Sequence, residues 1–195
     1  MTDLTPKERN NRETWLNRAT HALRPTFRKL ALPLHRDVRV SVGFPLGGFE
    51  KIAGQCFRRE ASKDRHNEIF VSPLIDDARE ALAVLVHELL HAANNCASGH
   101  DRTFTRRARA LGLQGKPTET TGGALFKQLH GPLLRTLGRY PHASLRPSKV
   151  KRQGTRLLKV TCPECGYTCR VTRTWLDGAG APICPTDEIA LQEAE

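Results

Sequence analysis

No stretch of this 195-residue chain stays apolar for anything near 18 residues, which excludes a transmembrane helix. The opening run, Met1 to Glu8, lacks the apolar centre of a secretory signal. A cytoplasmic protein without a membrane partner is therefore expected. There is no internal repeat and no low-complexity tract, so repeat architectures are set aside. Acidic residues are almost missing from one region. Residues 139–175 hold nine bases, Arg139, Arg146, Lys149, Lys151, Arg152, Arg156, Lys159, Arg170 and Arg173, against Glu164 alone. That segment supplies +8 of the net +11. Such concentration points to a polyanion, most simply DNA; the bland alternative is a solvated basic linker.

The chain is long enough for one ordinary domain and a small module, and 38% hydrophobic residues allow a modest core. In a cytoplasmic setting its six Cys read as thiols or metal ligands rather than disulfides.

The most informative segment is His87-Glu88-Leu89-Leu90-His91, an H-E-x-x-H motif within the apolar run Ala81 to Ala93. Residues i and i+4 share a helix face, so His87 and His91 can both offer a ring nitrogen to one zinc ion. Glu88 is placed to reach a water that the metal activates, as general base. Two rings and a carboxyl left unpaired in so apolar a helix would be costly, and a metal offsets that cost.

Such a site needs a third protein ligand. Asn94, Asn95, Ser98 and Gly99 are helix-ending and turn-forming residues, so the chain can reverse and return His100 to the metal. The longer H-E-x-x-H-x-x-G-x-x-H pattern is excluded by Asn94 and Ala97. A later glutamate, Glu119, is the alternative; Lys116-Pro117-Thr118-Glu119-Thr120 reads as a loop and ranks below His100.

These residues carry a resemblance. His87 to Ala92, then Gly99-His100-Asp101 and Phe104, resemble the SprT-like metallopeptidases, relatives of the Spartan protease that cuts proteins crosslinked to DNA. His66 to Ser72, Leu111-Gly112-Leu113, Tyr140 to Ala143 and Cys162 to Tyr167 add to it, over roughly residues 35 to 187. The resemblance implies zinc ligands at His87, His91 and His100, a catalytic Glu88 and an association with DNA.

The expected fold class is α+β. A zincin-like domain (1–138) would pack a small antiparallel or mixed sheet on the active-site helix. A basic linker (139–156) and a zinc-ribbon-like β module (157–195) would follow. Helical periodicity marks 7–30, with Pro25 kinking or ending it, and a helix starting near Ala78 behind an Asp77 cap. Asp101 or Thr103 can cap a helix stopping at Gly112; another covers about 123–137. Strands are expected over 37–44, 52–57 and 68–71. The last, leading into the active helix, is the favoured free edge for a protein substrate to add to as a strand, with an interior strand as the alternative.

In the C-terminal module, Cys162-Pro163-Glu164-Cys165 is a zinc knuckle. Cys184 is a third ligand, but Asp187 stands where a fourth Cys belongs. Asp187 or Cys169 could complete a structural zinc site, or the site could be metal-free. Cys56 and Cys96 read as isolated, small buried hydrophobes. The DNA-contacting set is Arg146, Lys149, Lys151, Arg152, Arg156, Lys159, Arg170 and Arg173. The leading function is a zinc metalloprotease acting on DNA-associated proteins, with one catalytic zinc and a second structural one. The alternative is a nucleic-acid-binding protein whose zinc is purely structural.

Overall fold

A computed structural model describes residues 10–47, 52–147 and 157–193. The chain forms two compact units, Met1–Arg146 and Pro147–Glu195. Five helices and small sheets among the described residues make it α+β. None of these helices is long and apolar enough to cross a membrane.

In the first unit, α1 (Arg12–Lys29) starts where the Asn11 side chain accepts the Thr14 N–H at 2.8 Å. Its buried face is Trp15, Leu16, Ala19, Leu23 and Phe27. The helix runs on through Pro25 and ends four residues later. Next comes a three-stranded sheet of β1 (Val38–Val42), β2 (Gly54–Phe57) and β3 (Asn67–Val71). Strand β3 is central, parallel to β1 and antiparallel to β2. The strand favoured as the free edge is thus interior, its alternating Asn67, Ile69 and Val71 buried. Among the described residues, the open edge beside the motif helix is β2.

Helix α2 (Ala78–Ala93) is capped by Asp77, which accepts the Glu80 N–H at 2.8 Å. Every residue from Ala81 to Leu90 is buried, so neighbours cover the helix all round. Asp101 caps α3 (Arg102–Ala110) through the Phe104 N–H. Then β4 (Leu113–Lys116) and β5 (Glu119–Gly122) pair as a hairpin where the sequence suggested a loop. Gly112 enters it at φ +83°, and a Cβ there would lie 2.3 Å from the Phe126 nitrogen. Helix α4 (Ala124–Leu137) closes the layer.

The linker expected from residue 139 begins later. Tyr140 is buried against Trp15, ring centroids 5.1 Å apart, and Arg12 donates to the Pro141 carbonyl. The Leu145 N–H bonds the Pro73 carbonyl. Residues 140–146 therefore belong to the first unit.

The second unit has a three-stranded antiparallel sheet in the order β7 (Thr168–Thr172), β6 (Leu157–Thr161), β8 (Gln192–Glu193), with a short α5 (Arg173–Ala179). Among the described residues its core is Val160, Cys162, Cys184 and Leu191.

Candidate metal centre

Helix α2 presents His87 and His91 one turn apart on one face. After α2 the chain reverses through Asn95 and Cys96, both left-handed at φ 56°. The Cys96 N–H caps the His91 carbonyl at 2.8 Å. The Asn95 side chain accepts from Asn67 and from the Arg59 N–H, and donates to Glu60. This fixed reversal carries His100 back over α2. Asp101 then starts α3 at once, which places Phe104 beneath all three imidazoles. Its ring centroid lies 4.9, 4.5 and 4.9 Å from those of His87, His91 and His100.

The three Nε2 atoms form a triangle of 3.0, 3.1 and 3.3 Å. Zinc–nitrogen bonds at tetrahedral angles would set such nitrogens roughly 3.3 Å apart. The triangle has the size of a single-ion site. Burial pushes the His87 imidazole down to about 3, helped by His91 and His100, and His91 to about 4. His100 is lowered by the same desolvation. All three are neutral at pH 7, with lone pairs converging on one point; a cation relieves that crowding. The Nδ1 of His87 meets the Thr120 hydroxyl at 2.8 Å, which orients the ring. These three His can hold a metal ion.

Glu88 is not in that triangle. It is 6% exposed, and burial pushes its carboxyl up to about 8, with Cys96 adding to the rise and a Cys56 backbone bond opposing it. A carboxyl titrating near neutrality beside a metal site can take up and return a proton. A cation in the triangle would draw its pKa back down.

The centre lines a cleft of about 970 Å³ between β2 and β5. Gly54 lets β2 approach: a Cβ there would lie 2.5 Å from Val84 Cγ1 and 3.0 Å from Glu88 Oε1. Glu119 stays on the cleft rim, exposed and 4.0 Å from Lys116, outside the His cluster. Three features were missed from sequence. Thr120 was passed over because its strand was read as a loop. Phe104 enters the sequence reading only through the family resemblance, with no role at the metal assigned to it. Cys56 and Cys96, read as isolated, have sulfurs 3.3 Å apart on the cleft wall.

In the second unit Cys162, Cys165, Cys184 and Asp187 gather as a second group able to hold a metal ion. Asp187 Oδ2 lies 3.1 Å from Cys162 Sγ and 3.3 Å from Cys184 Sγ. The sulfurs of Cys165 and Cys184 are 3.5 Å apart. The bond to Asp187 chiefly pushes the Cys165 thiol up to about 12. Of the two candidates for fourth ligand, Asp187 is in the cluster, whereas Cys169 packs against the small core.

The basic residues divide. Lys149, Lys151, Arg152 and Arg156 lie outside the described residues. Lys159 and Arg170 are exposed and directly opposite across β6 and β7. Arg146 is exposed at the end of the first unit. Arg173 is already countered, bidentate to Glu193 at 3.0 and 2.6 Å.

No family model, no curated protein and no solved structure matches this chain.

Proposed function

We propose that this protein is a zinc-dependent metallopeptidase of the SprT-like kind that its motifs resemble, with a zincin-like first unit. Its substrates are proteins associated with DNA. The observation that carries the reading is the pairing of an open three-His triangle with a buried, non-ligating carboxyl in one cleft. A closed structural site would use four ligands, whereas three leave a coordination position facing the cleft.

Zinc held by His87, His91 and His100 supplies Lewis-acid activation of water and of the scissile carbonyl. Glu88 takes the proton of the attacking water and returns it to the leaving amine. The Cys56 N–H holds the Glu88 carboxyl in place. Thr120 holds the orientation of the His87 ring, and Phe104 sets the pitch of all three rings. The open edge of β2 receives the substrate backbone as an added strand. The second unit, a zinc ribbon with Asp187 as its fourth ligand, holds the protein near DNA through Lys159 and Arg170, together with the bases of 149–156 and Arg146 at the end of the first unit.

The test is incubation of zinc-loaded protein with a DNA-binding protein, with and without DNA, beside Glu88→Gln. Cleavage by the wild type alone supports the reading; equal cleavage by both, or by neither, refutes it. Removal of residues 147–195 should reduce DNA affinity at low salt, and binding by the full chain should weaken steeply as salt rises.

A further inference from the structure

Cys56 and Cys96 are forty residues apart in sequence and belong to neither metal group. Yet Cys56 Sγ and Cys96 Sγ lie 3.3 Å apart, and Cys96 Sγ also reaches the Cys56 carbonyl at 3.6 Å. Cys56 is on the free edge strand β2, and Cys96 is on the reversal after α2. The contact is built rather than incidental. Cys96 and its neighbour Asn95 are consecutive left-handed residues without being glycine, a conformation disfavoured by the Cβ. Three side-chain bonds from Asn95 hold it there. Both cysteines are half-buried and line the cleft, so a small solute can reach them.

We propose that Cys56 and Cys96 form a reversible redox pair that closes to a disulfide and shuts down the cleft. The functional half of this rests on the peptidase reading above. A small-molecule disulfide such as oxidised glutathione is the oxidant. The Cys96 thiolate attacks one of its sulfurs and expels one glutathione thiolate, leaving a mixed disulfide. The Cys56 sulfur, losing its proton to solvent, then attacks the Cys96 sulfur and expels the second glutathione. The two protein thiols lose two electrons and two protons; one glutathione disulfide becomes two thiols.

Closure must shorten the sulfur separation from 3.3 Å to about 2.05 Å. The movement falls on β2, whose Cys56 backbone bonds Glu88 and whose Gly54 leaves no room for so much as a Cβ beside that carboxyl. Oxidation therefore displaces the proton-carrying carboxyl and pins the edge that receives substrate. No metal ligand is consumed.

The experiment uses the zinc-loaded full-length chain, exposed to oxidised glutathione, blocked with N-ethylmaleimide, digested and mapped by mass spectrometry. A Cys56–Cys96 linked peptide, lost after dithiothreitol, is expected. Recovery of both cysteines as maleimide adducts, or as separate glutathione adducts, overturns the pair. In parallel, wild-type turnover should be lost on oxidation and restored by dithiothreitol. Cys96→Ser, which retains the cysteines of the second unit, should keep its turnover in oxidised glutathione. A linked peptide with turnover unchanged overturns the control of the cleft. A reduced wild type without turnover overturns the peptidase reading instead, and the peptide map still decides the pair.

Discussion

The two metal-binding groups of this chain are built in opposite ways. Two of the three His stand on a helix whose residues Ala81–Leu90 are all buried, within a core of 28 buried side chains among the described residues. The Cys-Asp group stands on turns, and two of the four residues buried among the described ones of its unit, Cys162 and Cys184, belong to the group itself. On the proposed reading, the core of the first unit positions the ligands and leaves the metal free for chemistry. In the second there is little apolar surface to fold around, and on the same reading the metal supplies the cohesion. The ligand sets agree with this division. Three imidazoles leave a coordination position open to a cleft, whereas three thiols and a carboxylate make a closed set.

Metal removal should separate the two regions most sharply. A chelator should unfold the second unit and leave the first folded but inactive. Backbone hydrogen exchange mapped by peptide reads each region separately. Protection retained throughout 157–193 without metal would mean that the small core suffices. Next in size, His100→Ala should lose the metal and activity of the first unit, while Glu119→Ala should change neither. Metal analysis of both variants checks the choice; metal loss with Glu119→Ala alone would show that the third ligand is misassigned.

A smaller effect is expected at Thr120. Thr120→Val removes the partner of His87 Nδ1 and should weaken metal affinity by about 10- to 100-fold without loss of fold. Unchanged affinity would demote the hydroxyl to a bystander. The smallest effect concerns acid stability of the metal-free first unit. His87 and His91 have folded pKa values of about 3 and 4, below the unfolded value of 6.5. Between those limits the unfolded chain binds more protons, so stability falls as pH drops through 6.5. Glu88, raised to about 8, acts in the other direction, and its contribution falls as pH rises from 4.5. With two imidazoles against one carboxyl, Tm of the metal-free first unit should decline from pH 6.5 to pH 5. A flat or rising Tm there would place the rings in a more solvated setting.

What the sequence revealed follows the range of its signals. His87, Glu88 and His91 were legible because a helix fixes their spacing, and His100 because turn residues precede it. The Asp77 and Asp101 caps are equally local. Strand order was not legible. Alternation marks Asn67–Val71 as a strand but does not say that β1 and β2 flank it, and so the open edge was misassigned. The hairpin β4–β5 is polar and short, with Pro117 at its turn, so it reads as a loop and hides Thr120. Tyr140 sits among proline and basic residues that suggest a linker, and only its contact with Trp15 reveals core. The Cys56–Cys96 contact spans forty residues, beyond any local pattern.

On the proposed reading the first centre performs chemistry and the second does not. Glu88→Gln tests it most directly, with zinc per chain and hydrolysis of a DNA-bound protein measured on the same preparation. Glu88 lies beside the ligands without joining them, so zinc content should match the wild type while turnover falls by about 10²- to 10⁴-fold. Zinc retained with turnover unchanged, or zinc lost with turnover, would contradict the account.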